Sequence, residues 1–248
     1  NKISIFNFYM KCVFIEVRKN KKMDPKITKL KNASTSIELK NAISAVPWYL
    51  EDYVTEIRDL LLQKQNLIAD SPTADAVVSV LKELSIDVLR TAEIRDLIID
   101  VLAPKISAGD PVAKLGRTIC SIVQNTPAAE LYSNRKSFSA ILDCFHRATT
   151  AGSTEWISSP INNICRFNPG ANKILNDLPV VEAFSAIIPY ATTENSVRWI
   201  SYCIEEIFKD NEQGRKILGT LAFFDTFRSM EGRARLFGLK SAFEKVVE

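Results

Sequence analysis

The sequence predicts an all-α chain, a right-handed α-solenoid of three to four short units with helical caps. Three observations carry this. From Ile43 onward, apolar residues recur three and four apart, the spacing of one helix face. Past residue 40 there is no sustained alternation, and no Asn-Gly or Asp-Gly pair marks a hairpin. The second half also repeats itself: Trp156-Ile157-Ser158 returns as Trp199-Ile200-Ser201, an offset of 43 residues. A unit of that length cannot bury an apolar face alone, so it stacks on its neighbours.

Residues 1–40 hold ten Lys/Arg against three acids, so the rest of this +3 chain is mildly acidic. That concentration of charge predicts a basic tail outside the repeat domain, which would run over residues 41–248. The stretch Ile3–Val17 is apolar but broken by Lys11 and Glu16, and its basic cluster follows it rather than preceding it. Two readings stand for residues 1–22: a basic targeting or surface-anchoring tail, or residues upstream of a start at Met23. No apolar run is long enough for a membrane span.

A helix over 43–68 follows, with Leu50, Tyr53, Val54, Ile57, Leu60 and Leu61 on one stripe and Pro47 near its start. Asp70-Ser71-Pro72-Thr73 punctuates its end. The units then fall at about 75–110, 111–152, 153–194 and 195–231, with the remainder as caps. The offset of 43 persists through Ile161 and Ile204, Ile164 and Ile207, Asn168 and Asn211, and Lys173-Ile174-Leu175 against Lys216-Ile217-Leu218. With one residue of slippage it reaches back to Ile119, Ile122 and Pro127. Each unit reads as a longer helix (about 111–124, 154–167, 196–209), a short one (129–134, 171–176, 213–219) and a closing apolar one (136–147, 179–191, 221–228).

The period, the helix lengths, Asn163 within Ile161-Asn162-Asn163-Ile164-Cys165, and the turn Asn168-Pro169-Gly170-Ala171 together resemble armadillo repeats over about residues 75–230. Only one unit keeps that Asn; Ser121 and Glu206 hold the equivalent places. The resemblance implies that the longest helices line a concave face. Opposite the buried stripe of Ile157, Ile161 and Ile164 lie Trp156, Ser159, Asn163 and Arg166. The next unit offers Trp199, Tyr202, Glu206 and Lys209, and the preceding one Arg117, Ser121 and Gln124. Such a face suits an extended peptide or partner helix: Asn bonding backbone, Trp as flat apolar walls, Arg and Lys meeting acids. Both tryptophans are equally consistent with the core between units, because repetition alone makes a residue recur.

Enzyme signatures are missing. His146 is the only histidine, and a Cys–His device would have to pair it with Cys144, two residues away and so on another helix face. The five cysteines show no metal-ligand spacing and are odd in number, and four of them sit among apolar helical neighbours, as expected of free thiols in a reducing compartment, cytoplasm or nucleus. The glycines are scattered, with no phosphate loop. Arg18-Lys19-Asn20-Lys21-Lys22 and Arg233 with Arg235 are too few bases for a nucleic-acid track. The expectation is therefore a non-enzymatic adaptor or scaffold without cofactor, metal or small-molecule substrate, whose partner is a protein or extended peptide. The alternative is a helical regulatory subunit packed permanently against a catalytic chain.

Overall fold

Most helices among the described residues begin where a short polar side chain accepts a backbone N–H that has no partner one turn earlier. The computed structural model describes residues 24–46, 53–230 and 232–233, and among these every regular element is helical. Asp24 starts α1 (Pro25–Asn32) and Thr35 starts α2 (Ser36–Ser44). Next comes α3 (Val54–Gln63), and then Asp70 caps α4 (Ser71–Leu81) through Thr73 N at 2.9 Å. Short α5 (Ile86–Leu89) leads to α6 (Ala92–Asp96), which runs on as a π-helical stretch, Leu97–Leu102. Then follow α7 (Asp110–Ile122), α8 (Thr126–Tyr132) and α9 (Arg135–Phe145). The next triplet is α10 (Ala151–Phe167), a 3-10 helix (Ala171–Asp177) and α11 (Val180–Ile187). The last is α12 (Glu194–Phe208), α13 (Glu212–Leu218) and α14 (Leu221–Arg228).

The 43-residue offset appears in the caps. Thr150 and Ser153 form a reciprocal capping box at the start of α10, and Thr193 and Ser196 form the same box at the start of α12. It also appears in the packing. Helices α2, α4, α7, α10 and α12 lie side by side in chain order, the last three being the longest among the described residues. The π-helical stretch, α9, α11 and α14 form a second row in the same order. Along that row Phe145 meets Phe184 edge-on at 5.2 Å, and Phe184 meets Phe223 at 6.5 Å. The apolar core runs unbroken from Ile27 to Met230 between the rows.

At four register positions a basic side chain ties one helix end to an earlier one. Lys64 donates to Ala33 O at 2.8 Å, and Lys105 donates to Ile68 O. The Arg147 guanidinium donates to Ile106 O at 2.8 Å and also to Ala103 O. Arg233 reaches Ala191 O at 2.7 Å and Ile188 O at 3.3 Å. Ala33 O, Ile68 O, Ile106 O and Ala103 O lie at helix ends, where carbonyls lack intrahelical partners. Tyr190 holds the corresponding place between Arg147 and Arg233, and it is exposed.

Two boundaries differ from the sequence expectation. Residues 24–40 belong to the helical body: Ile27, Leu30 and Leu39 are fully buried while Lys29, Lys31 and Lys40 point outward. Their lysine excess is the polar side of two amphipathic helices, which net charge alone reads as a tail. The predicted helix over 43–68 is divided: Ile43 closes α2, and Val54–Gln63 is a separate helix. Asp70-Ser71-Pro72-Thr73 is the capped start of α4, not only the end of what precedes it. Residues 1–22, Met23, Leu50, Glu51, Asp52 and the cap past residue 233 lie outside the described residues.

Candidate protein-binding face

Glycine and proline set the distance between α7 and α10. Pro160 lies inside α10 and has no N–H to give the Trp156 carbonyl one turn back. Gly116 of α7 packs against that carbonyl so closely that a Cβ built on it would stand 2.3 Å from the oxygen. In repeat register with Gly116 stand Ser158 and Ser201, both buried, each folding its hydroxyl back on the carbonyl four residues earlier. Small residues thus form a seam down the row of long helices.

That close approach puts Arg117, one residue on, directly over the neighbouring helix. Its guanidinium carbon lies 4.2 Å from the centre of the Trp156 ring, a cation–π arrangement. Glu155 adjoins the pair; burial pushes its carboxyl up, and Arg117 and a bond from Asn195 oppose that shift. One unit on, Trp199 meets Tyr202 edge-to-face at 6.1 Å. Neither tryptophan belongs to the buried core; both are half-exposed, and Tyr202 is 38% exposed.

The other predicted residues divide. Arg166 is exposed, 5.8 Å from the Phe167 ring centre. Lys209 and Glu206 approach to 3.8 Å, and Ser121 is half-buried. Asn163 and Ser159 are buried. The Asn163 amide donates to Cys120 Sγ at 3.2 Å and Cys120 O at 3.4 Å, which ties α10 back to α7. Asn162 donates forward to Tyr202 O at 3.1 Å, which ties α10 to α12. Because α10 is flanked by both neighbours, these amides serve the interfaces between helices. The open face is carried by Arg117, Trp156, Arg166, Trp199 and Tyr202.

His146 is exposed at the end of α9, whereas Cys144 is buried with its thiol directed at Ala103 O. Burial pushes the Cys120 and Cys144 thiols up to about 11, and raises those of Cys165 and Cys203 as well. That is the opposite of an activated thiolate. Among the described residues no group of His, Cys, Asp and Glu is arranged to hold a metal ion, and no helix is long and apolar enough to cross a membrane. Comparison of the chain with protein-family models, with curated proteins and with solved structures gives no match.

Of three features of this face, two are hard to read from sequence. Gly116 and Pro160 look like isolated helix breakers until their helices are seen to touch there. The serine seam at Ser158 and Ser201 is visible in the repeat itself. The division of labour between Asn162 and Asn163 has no one-dimensional signal.

Proposed function

We propose that the chain is a non-enzymatic protein-interaction module, an α-solenoid of armadillo-like units that holds an extended peptide or partner helix along its row of long helices. One observation carries the reading. Trp156 and Trp199, 43 residues apart and each six residues after its capping threonine, stand half-exposed on successive helices. One is roofed by a guanidinium, the other braced by a tyrosine. Large aromatic surfaces that stay partly in water while fixed in place are what interface anchors require.

The experiment is affinity capture with the full chain and with Trp156→Ala/Trp199→Ala. The double variant should keep its far-UV helix signal and lose its specifically bound protein. Retention of that protein by a folded double variant would overturn the reading.

A further inference from the structure

The aromatic ledges of α10 and α12 keep their polar atoms unspent. Among the described residues the indole N–H groups of Trp156 and Trp199 and the Tyr202 hydroxyl have no hydrogen-bond partner, and all three side chains reach water. An indole N–H donates and cannot accept, so each tryptophan offers one donor beside an apolar surface.

The charges beside the ledges are spent on one another. Arg198 is paired with Glu194, and Lys209 stands 3.8 Å from Glu206. Arg117 lies over Trp156 and faces Glu155, and Arg166 lies further along α10, beside Phe167. Neither a strongly acidic nor a strongly basic segment finds an unmatched counter-charge at the two tryptophans. Charge complementarity therefore favours an uncharged occupant.

Spacing narrows the choice. Trp156 and Trp199 hold the same place on neighbouring, packed helices, and packed helices stand about 8–10 Å apart. A polyproline II helix advances about 3.1 Å per residue, so every third residue returns to one side after about 9.3 Å. A β-strand returns to one side after about 6.6 or 13.2 Å, and an α-helix after about 5.4 or 10.8 Å. Of the three, the polyproline pitch falls inside the interval. Its backbone carbonyls also lack internal partners, which suits free indole donors.

We infer that the two ledges seat prolines three residues apart in a polyproline II segment of a partner protein. The inference rests on the protein-binding reading above and names the partner's chemistry. Trp199 and Tyr202, with ring planes 85° apart, wall a corner for one pyrrolidine ring, and Trp156, braced by Arg117, takes the next. The indole N–H groups bond the segment's carbonyls. Such a segment is extended before it binds, so little of its freedom is lost on docking.

The test uses the full chain and fluorescence anisotropy of labelled synthetic peptides in an Ala/Ser frame. One carries Pro at every third position, a second the same number of Pro at every fourth, and a third Ala in place of Pro. The last is an uncharged amphipathic Leu/Ala/Gln helix. The every-third peptide should bind at least about tenfold more tightly than any other, and change less than about twofold between low and high salt. Trp199→Ala should cost about tenfold, and Trp199→Phe, which keeps a ring and removes the donor, about threefold. Arg198→Gln should leave binding unchanged. Equal binding of the every-third and every-fourth peptides would overturn the inference, as would tighter binding of the helix. So would a salt-sensitive gain on placing Lys or Glu between the prolines, which would make the partner a charged one. Concentration-dependent dimerisation that Trp199→Ala abolishes would make the occupant a second copy of the chain. If no peptide binds while Trp156→Ala/Trp199→Ala still loses the captured protein, the proline assignment fails and the protein-binding reading stands.

Discussion

Gly116 decides how near two helices come, and through that where Arg117 sits. A side chain there meets the Trp156 backbone carbonyl, which cannot rotate aside as a flexible side chain would. Gly116→Val should destabilise by about 1–3 kcal/mol, the usual cost of forced overpacking. Urea unfolding followed by circular dichroism reads the change. In the same variant, tryptophan fluorescence should shift as the guanidinium leaves the Trp156 ring. The capping threonines act more locally. Thr150→Ala and Thr193→Ala each remove the acceptor for a serine N–H in the first turn and should cost about 1 kcal/mol. Equal losses from the two would show that the repeated boxes are equivalent in energy as well as in sequence.

At the scale of elements, the basic ties between closing helices make a sharper prediction. Removing Arg147 leaves the buried ends at Ala103 and Ile106 short of a donor, so Arg147→Ala should cost about 1–3 kcal/mol. Tyr190→Arg places a donor at the one register position that lacks it, and should raise stability by about 1 kcal/mol. Thermal melts of both variants check the pair; a neutral Tyr190→Arg would mean that this junction is closed by other means. Much of this layer is legible before folding. The helix stripes, the absence of strands and the Trp-Ile-Ser echo identify the long and closing helices over 110–228 to within a few residues. The first forty residues mislead because the charge count pools the bases of residues 1–22 with Lys26, Lys29, Lys31 and Lys40 of α1 and α2, while Ile27, Leu30, Ala33 and Leu39 are buried. The basic ties are spaced almost regularly at residues 64, 105, 147 and 233. The change from Lys to Arg along the series and the gap at Tyr190 hide them in a single sequence. At the candidate face, the period predicts the tryptophans, but it cannot say that Asn163 turns inward.

For the whole molecule, the buried thiols set an upper pH limit. Burial holds Cys120 and Cys144 near 11 from an ordinary value of 9.0. The native state therefore keeps their protons where the unfolded chain releases them. The contribution is fully present below about pH 9 and is lost as pH rises from there towards 11. Urea midpoints measured from pH 8 to pH 10.5 should be flat at first and then fall. At pH 8 a thiol reagent should label the four buried cysteines only after unfolding. The same continuity of packing governs the open face. Consecutive amides of Asn162 and Asn163 pin α10 to the helix before it and the helix after it. Sliding α10 along its axis would break both attachments together, so the interval between the two indole ledges behaves as a ruler with fixed graduations. If the face holds a peptide as proposed, a ligand whose side chains fall at a different pitch would engage one mark but not the next, and discrimination among sequences would come from spacing before it comes from chemistry.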